Sequence, residues 1–264
     1  MDMLLEFEKK VADFIDSQNI FASADKILLA VSGGADSTAL LYLMAALKDH
    51  SLLHAELFCA HINHQLRGAD SDADQNFVAA QTQQLHVPLT IAKVDVRGFA
   101  RENNLSLETA ARKLRIEALS QIAAENNCTH IALGHQKNDN AETVLHRLLR
   151  GTGPRGLAGI WPVRSFAPAV NFARPLLCVT RPQILDYLNS RHLQWRTDRT
   201  NRNCTYKRNY IRHRLLSAIQ QQQSSSVIDQ LYILSQSAQR LDKLISQTVQ
   251  NIWPTVAESG GSEV

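Results

Sequence analysis

The chain has 264 residues, of which 44% are hydrophobic, so it can bury a normal core in one or two domains. Its net charge of +3 is too small to indicate a nucleic-acid partner, and no apolar run approaches the roughly 20 residues of a membrane-spanning helix. The charged N-terminus lacks the segments of a signal peptide, so we expect a cytoplasmic protein with no membrane partner. The four cysteines form no CxxC pair, which argues against a zinc ribbon, a redox dithiol or an iron–sulfur cluster and predicts reduced, partly buried thiols.

Strands and helices are predicted to alternate up to about residue 150. Apolar residues at helical spacing predict helices over 3–17, 36–48, 71–86, 106–126 and 140–150. Short apolar runs predict strands over 26–31, 55–62, 89–96 and 129–134. This alternation indicates βαβ units and therefore an α/β fold, with a doubly wound, Rossmann-like parallel sheet that has helices on both faces.

The pattern changes after residue 150. A loop rich in glycine and proline is followed by a predicted helix at 182–191, a basic stretch at 196–214 and a long predicted helix at 224–250. The stretch 196–214 holds seven Lys or Arg residues and one Asp, which suits contact with RNA phosphates, although an ordinary solvated helix face would have the same composition. We expect a first domain over 1–220, with its core at 24–160, and a linker with the start of a smaller, mostly helical domain over 221–264.

The junction of the first strand and the second helix carries the sequence SGGADS. Adjacent glycines permit positive φ and close approach of a ligand, and the free N–H groups of the following helix point into the turn. Together with two serine hydroxyls they would form a nest for pyrophosphate, although a plain tight turn with a capped helix is the simpler alternative. An Asp beside phosphates would repel them unless a cation lies between, so the motif also implies Mg²⁺. The candidate nucleotide-binding residues are Ser32, Gly33, Gly34, Ala35, Asp36 and Ser37, with His61 and Gly134 at the ends of neighbouring strands.

Two other phosphate-binding motifs are excluded. The stretch GTGPRG at 151–156 fits GxGxxG, but it follows a helix and contains a proline, whereas the dinucleotide fingerprint follows a strand and opens a helix. We interpret it as a loop, either a plain connector or a substrate contact. The sequence GxxxxGK[ST] is absent, so this is not a Walker-type kinase or GTPase.

The SGGxDS motif after the first strand resembles that of the PP-loop, or N-type ATP pyrophosphatase, family. Further stretches resemble its tRNA(Ile)-lysidine synthetase branch: HINHQLRG at 61–68 with Ser71 and Asp74, LETAARKLR at 107–115, GHQKNDNAET at 134–143, and the Asp198…Arg212 segment. The resemblance runs from about 26 to 216. It implies an adenine nucleotide alpha hydrolase-like fold and longer relatives with further C-terminal domains for tRNA recognition, so 221–264 is either a short natural end or part of a longer region.

The resemblance also implies a two-step reaction. The wobble cytidine of a tRNA(Ile) with a CAU anticodon attacks the α-phosphate of ATP and pyrophosphate leaves; free L-lysine then attacks carbon 2 and AMP leaves. The cofactors implied are ATP and Mg²⁺, and a homodimer is left open. The residues implied in catalysis are Asp36, His135, Asp139, Glu142 and Arg208, with Asp36 and Asp139 as metal ligands. Those implied in substrate or tRNA contact are Asn63, His64, Arg67, Arg112, Arg115, Arg150, Arg155 and Arg212.

One position departs from the family pattern, which has two adjacent Asp residues where this chain has Asn138 and Asp139. Asp139 and Glu142 are three residues apart, so they are expected to share a helix face, with His135 one turn before Asp139. The pair would hold Mg²⁺ or orient the incoming amine. Lys137 beside it is unexplained by the sequence.

Simpler roles stay open for several of these residues. His61 and His64 would also suit structural hydrogen bonds, and a zinc site is disfavoured because no third ligand has suitable spacing. Arg112 and Arg115 would also suit a solvated helix surface. Three rival functions remain: a tRNA 2-thiolation enzyme, disfavoured by the missing CxxC, an NAD synthetase-like ligase, which leaves the basic segment without a role, and a degenerate module that binds tRNA or nucleotide without turnover.

Overall fold

The structure, a computed structural model, describes residues 5–23, 25–167, 170–197, 210–222 and 226–259. The chain divides into two compact units, the first formed by Met1–Gln136 with Pro162–Arg199 and the second by Lys137–Trp161 with Thr200–Val264. The strands are β1 (Lys26–Ala30), β2 (Glu56–Asn63), β3 (Leu89–Lys93), β4 (His130–Ala132), β5 (Val163–Ala167) and β6 (Val170–Ala173). The helices are α1 (Glu6–Ser17), α2 (Ala35–Asp49), α3 (Ala69–Gln84), α4 (Val96–Glu102), α5 (Leu107–Glu125), α6 (Lys137–Leu149), α7 (Pro154–Leu157), α8 (Arg181–Ser190), α9 (Leu216–Gln222) and α10 (Val227–Ser259).

The first unit contains a six-stranded sheet in the order β3-β2-β1-β4-β6-β5. Every neighbouring pair is parallel except β5 and β6, which are antiparallel, so the prediction of a doubly wound parallel sheet is confirmed. The strands β2 and β3 are added on one side of β1, and β4 is added on its other side. The strand order therefore has a switch point beside β1, and ligands of such sheets bind there, at the carboxyl ends of the strands.

The core of the first unit is packed around β1 and β4. Leu28 and Ile131 are fully buried, and Leu119 and Ala123 of α5 pack on them with Phe172 of β6. Continuous apolar strands of this kind need cover on both faces, which the flanking helices provide.

The N-terminal helix α1 is anchored to α8 by a buried carboxylate. Glu8 has no exposed surface. Its Oε1 accepts hydrogen bonds from Tyr187 Oη at 2.9 Å and from Arg191 Nη2 at 2.8 Å, and its Oε2 accepts one from the Leu5 N–H at 2.8 Å. Phe7 stacks on the Tyr187 ring with centroids 4.4 Å apart. Burial and the Glu8 carboxylate raise the pKa of the Tyr187 hydroxyl.

Several elements differ from the predictions. The third strand was expected to reach residue 96 but ends at Lys93, because Asp95 caps α4 by accepting a hydrogen bond from the Gly98 N–H at 2.9 Å. The strands β5 and β6 were not predicted. The helix expected at 140–150 begins at Lys137, so His135 precedes it and does not lie one helical turn before Asp139.

The outermost strands of the sheet both carry a cation. Lys93 ends β3, with its side chain 54% exposed. Arg164 and Ser165 of β5 are exposed, and the pairing of β5 with β6 has a register irregularity between Ser165 and Ala167.

In the second unit, α10 packs on α6 and α7. A π-helical turn at Ile211–Leu215 continues into α9, and Ile211 and Leu216 pack with Ala141 and Val227. Buried Asn140 donates to Ser235 Oγ at 2.7 Å and accepts from the Ile160 N–H at 2.7 Å, so this buried amide is well partnered. Among the helices that the structure describes, none combines the length and apolarity needed to cross a membrane.

Candidate nucleotide-binding site

The turn at 32–37, called the PP-loop from here on, is closed by its own hydroxyl groups. The Ser37 hydroxyl accepts a hydrogen bond from the Ser32 N–H at 3.1 Å and lies 3.0 Å from the Gly34 carbonyl oxygen. Thr38 Oγ1 donates to the Gly33 carbonyl oxygen at 3.3 Å. The Ser37 side chain is therefore engaged within the loop, which leaves the backbone N–H groups at the start of α2 as the donors for an anion.

Two glycines of the site are required by the backbone. Gly33 has φ +84, a conformation that side chains other than glycine rarely adopt. Gly134 follows β4 and lies against the first turn of α2. A Cβ at this position would lie 3.1 Å from the Asp36 carbonyl carbon and 3.2 Å from the Ser37 nitrogen. Ala35, the first residue of α2, is buried.

The Asp36 carboxylate contacts an arginine that is distant in the sequence. Arg181, the first residue of α8, places Nη1 2.5 Å from Asp36 Oδ2. Arg181 is not among the site residues predicted from the sequence. The signal that could have found it is a cation at a helix N-terminus, where the helix dipole disfavours positive charge.

A cavity of about 430 Å³ opens beside the PP-loop at the carboxyl ends of β1, β2 and β4. It brings together most of the residues predicted from the first unit. The predicted residues that line it are Ser32, Asp36, Ser37, His61, Asn63, His64, Arg67, Arg115, Gly134 and His135. Their convergence on one cavity is what the strand order leads us to expect.

The two histidines after β2 differ in their surroundings. His61 is buried, and its Nδ1 lies 2.9 Å from the Val31 carbonyl oxygen. Burial lowers its pKa, more than the Val31 contact and Asp74 raise it. Burial, and after it the positive charges of Arg115 and Arg67 and the proximity of His61, lower the pKa of His64 to about 4. Both rings are therefore neutral at pH 7, and His61 has the structural hydrogen bond that was left open as an alternative.

The polar side chains of 61–74 mainly organise the connection from β2 to α3. Asn63 donates to Asp72 Oδ1 and Gln75 Oε1 at 3.2 and 3.1 Å and accepts from the Gln65 N–H at 3.0 Å. These three hydrogen bonds occupy the Asn63 amide within the connection. An RNA contact by Asn63 stays a prediction.

Buried Asp74 pairs with two arginines. Arg67 Nη2 lies 2.6 Å from Asp74 Oδ2, and Arg196 Nε lies 2.8 Å from Asp74 Oδ1. The Arg196 N–H also donates to the Gly33 carbonyl oxygen at 2.9 Å. The start of the basic segment is thereby fixed to the PP-loop. Ser71, the other residue of the predicted 61–74 motif, accepts a hydrogen bond from the Arg67 N–H at 3.2 Å.

The two arginines predicted on α5 face different surroundings. Arg115 lines the cavity, whereas Arg112 is exposed and is absent from the lining. Arg112 and Arg164 add positive charge around Arg174, whose pKa is lowered to about 10, chiefly by burial.

In the second unit, Asp139 and Glu142 contact a single guanidinium. Arg212 Nε lies 2.5 Å from Glu142 Oε1, and Arg212 Nη2 lies 3.1 Å from Glu142 Oε2 and 3.1 Å from Asp139 Oδ1. The two carboxylates share a face of α6, as their spacing predicts.

The structure also explains Lys137. Its Nζ lies 2.7 Å from Asp229 Oδ1 and 4.9 Å from the centroid of the Tyr232 ring, so it ties α6 to α10. Arg147 donates to the carbonyl oxygens of Gly156 and Gly159 at 2.9 and 3.2 Å, which holds the 151–159 loop on α6.

Other predicted residues are exposed or lie outside the described residues. Arg150 is exposed, and the Arg155 side chain is 88% exposed with Nε 3.5 Å from Asp242 Oδ1. Arg208 and most of the predicted tRNA-contacting segment, like Cys204, are not among the described residues. Cys59, Cys128 and Cys178 are buried free thiols, and burial raises the pKa values of Cys59 and Cys128 to about 12 and about 11.

A family model described as a PP-loop domain matches residues 3–219. The chain belongs to the PP-loop family. Its curated relatives include a tRNA(Ile)-lysidine synthase of Chlorobaculum tepidum, 38% identical over 93% of this chain and 72% of the relative. A second, of Clostridium perfringens, is 36% identical over 94% of this chain and 51% of the relative. These matches place the chain in the tRNA(Ile)-lysidine synthase branch. The chain spans about half the length of several of the curated relatives it matches.

Solved structures agree with the fold. The U34-tRNA thiolase NcsA from Methanococcus maripaludis aligns with a TM-score of 0.69 at 17% identity, over 89% of this chain and 77% of that one. An NH3-dependent NAD synthetase from Campylobacter jejuni aligns with a TM-score of 0.50 at 16% identity, over 88% of this chain and 93% of that one. At these identities the likeness concerns the fold alone.

A carboxylate in the PP-loop suits a cation that comes with a nucleotide. Among the described residues, no three His, Cys, Asp or Glu side chains are grouped so that they could hold a metal ion. Magnesium that is bound through nucleotide phosphates needs only one or two protein carboxylates. Asp36 provides one such carboxylate in the PP-loop.

Proposed function

We propose that this chain uses ATP to attach free L-lysine to carbon 2 of the wobble cytidine of a tRNA(Ile) with a CAU anticodon. The observation that carries the proposal is the preorganised PP-loop beside a cavity of about 430 Å³ at the switch point of the sheet. The relatives' printed names, tRNA(Ile)-lysidine synthase, supply the substrate class. The reaction is adenylation of the cytidine with loss of pyrophosphate, then displacement of AMP by lysine.

In the first step, the PP-loop binds the pyrophosphate that leaves. The N–H groups of the first turn of α2 supply hydrogen bonds and the positive end of the helix dipole. Because the Ser37 hydroxyl already closes the loop, these donors need little rearrangement as charge develops, which is the usual source of electrostatic catalysis. Mg²⁺ bound with ATP would offset phosphate charge, and Asp36 is the carboxylate that would hold it. A metal role for Asp139 stays part of the proposal.

In the second step, Asp139 and Glu142 attract the lysine ammonium. Both carboxylates contact the Arg212 guanidinium from one face of α6, and an acidic pair of this kind suits an organic ammonium. Lysine must lose a proton before it attacks, so a base is required, and His135, Asp139 and Glu142 remain the candidates. Asn138 replaces only the first of the two adjacent Asp residues of the family pattern, so this chain keeps both Asp139 and Glu142.

Binding of tRNA is assigned to the exposed cations. Arg67, Arg112 and Arg115 belong to the first unit, and Arg150 and Arg155 to the second. Such side chains neutralise RNA phosphates, so binding is expected to weaken steeply with salt. Arg208 and the rest of 196–214 belong to the same proposal. We further propose that 1–220 acts as the catalytic domain, that 221–264 links it to a helical region, that the protein works in the cytoplasm, and that a homodimer is its assembly.

The test is pyrophosphate release with ATP, lysine and tRNA(Ile), followed by mass spectrometry of the wobble nucleoside. We expect release that depends on tRNA and a cytidine that gains lysine. Gly33→Ala, which strains the PP-loop, should abolish release, whereas Gly153→Ala, which meets no atom within 4 Å, should not. ATP binding without release under any condition would instead indicate an inert binding module, and release without lysine incorporation would indicate a different PP-loop modification.

A further inference from the structure

Asp36 poses an electrostatic problem for the PP-loop. Its carboxylate lies in the first turn of α2, where the backbone donors would face a highly charged pyrophosphate. A fixed negative charge at this distance opposes anion binding unless a positive charge lies beside it. A side chain that supplies this charge should contact Asp36 from a neighbouring element.

Arg181 meets that requirement. Its Nη1 lies 2.5 Å from Asp36 Oδ2, and α8, of which it is the first residue, packs against α2. The side chains of Arg181 and Asp36 are 44% and 25% exposed, so the pair is partly accessible to solvent.

The stability of α8 does not explain an arginine at this position. A cation in the first turn is opposed by the helix dipole. The helix start is already fixed by a capping box, in which Thr180 accepts from the Gln183 N–H and Gln183 accepts from the Thr180 N–H. Ion pairs that are partly exposed also add little to folding stability. The position of Arg181 is better explained by what it does to Asp36.

We propose that Arg181 is a positioning residue that neutralises Asp36 toward the pyrophosphate leaving group. The pair gives the PP-loop a carboxylate without the repulsion that a lone carboxylate would cause, and it fixes the direction of that carboxylate. The inference rests on the proposed function, because it assumes that the PP-loop holds pyrophosphate.

The test measures binding of inorganic pyrophosphate by calorimetry in buffer without divalent cations. Arg181→Gln should weaken binding about tenfold or more, because Asp36 then loses the positive charge of Arg181 and repels the ligand more strongly. Arg181→Lys keeps the charge without the planar guanidinium and should lie between. Lys48→Gln is the matched control, since it removes the same charge from the last turn of α2, about 18 Å along the helix from Asp36 at 1.5 Å per residue, and it should bind like the wild type.

A second substitution separates neutralisation of Asp36 from direct contact with phosphate. If Arg181 acts through Asp36, then Arg181→Gln should weaken pyrophosphate binding much less in an Asp36→Asn background than in the wild type, whereas direct contact with phosphate predicts the same loss in both backgrounds. A merely structural role for Arg181 likewise predicts no dependence on the background, and melting curves of each variant show whether it is folded.

Two results would overturn the inference. One is an Arg181→Gln variant that binds pyrophosphate within twofold of the wild type. The other is an equal loss of affinity from Arg181→Gln in the wild-type and Asp36→Asn backgrounds, which would mean that Arg181 does not act through Asp36. A wild-type chain that binds neither pyrophosphate nor ATP would instead refute the proposed function, so the two failures are distinguishable.

Discussion

At the scale of single residues, position 134 has little room for a side chain because it lies against the backbone of the PP-loop. A Cβ there would lie 3.1 Å from both the carbonyl carbon and the oxygen of Asp36, which are backbone atoms and cannot rotate away. Gly134→Ala should therefore shift the first turn of α2 and weaken ATP binding about tenfold, or about 1.4 kcal/mol, which is the net contribution of roughly one hydrogen bond. A titration with a fluorescent ATP analogue measures this.

Gly153→Ala is the control for that substitution, because its Cβ would meet nothing within 4 Å. It should bind the nucleotide as the wild type does. Unchanged ATP affinity in Gly134→Ala would show that the close approach of β4 to α2 has no influence on the nucleotide.

The sequence predicts the residue types of this site better than their contacts. Strand–SGGxDS–helix is enough to place Ser32, Gly33 and Asp36 at a strand end. It does not show that the Ser37 hydroxyl closes the loop, nor that Arg181, 145 residues away, contacts Asp36. Ion pairs of that separation depend on how α8 packs on α2, and no local pattern encodes that packing.

At the scale of elements, α1 depends on one buried carboxylate. Glu8→Ala removes the buried carboxylate that accepts hydrogen bonds from Tyr187 and Arg191. Breaking a buried pair in this way costs about 3–5 kcal/mol, so the free energy of unfolding should fall by about that amount. Urea denaturation measures it.

Glu6→Ala is the control on the same helix, because Glu6 is exposed. It should change the free energy of unfolding by less than about 0.5 kcal/mol. An equally small loss in Glu8→Ala would mean that α1 does not stabilise the first unit through Glu8.

Local patterns explain which elements were predicted. The strands β1, β2 and β4 are apolar runs, and α5 begins at a Ser106 cap that accepts from the Thr109 N–H at 3.2 Å. By contrast, β5 and β6 are short and include Arg164, Ser165 and Asn171, which resemble loop residues. They form a strand pair because β6 pairs with β4, a non-local contact.

At the scale of the whole molecule, the PP-loop cavity lies wholly within the first unit. ATP should therefore slow amide hydrogen exchange in peptides that cover 30–37, 61–67 and 133–136, because binding stabilises the segments that it contacts. Peptides from α10 serve as the internal reference and should change little. Protection confined to α10 would contradict the assigned site.

The two discontinuous units could not be predicted from the sequence. The chain leaves the first unit after Gln136, returns at Pro162 and leaves it again after Arg199. Composition marked a change near 150 and a polar stretch near 220, but the first crossing falls inside the GHQKNDNAET motif. Side-chain packing decides it: Ala141 and Leu145 of α6 pack with Ile211 and Val227.

The cations on the outermost strands bear on how copies of this chain meet in concentrated solution. A strand from another molecule that paired with an edge strand would lie beside Lys93 of β3 or Arg164 of β5. The irregular register at Ser165 and Ala167 further disfavours regular backbone pairing with β5. Intermolecular β-pairing should therefore be an unfavourable route to precipitation, and replacing Lys93 or Arg164 with valine would be expected to open it.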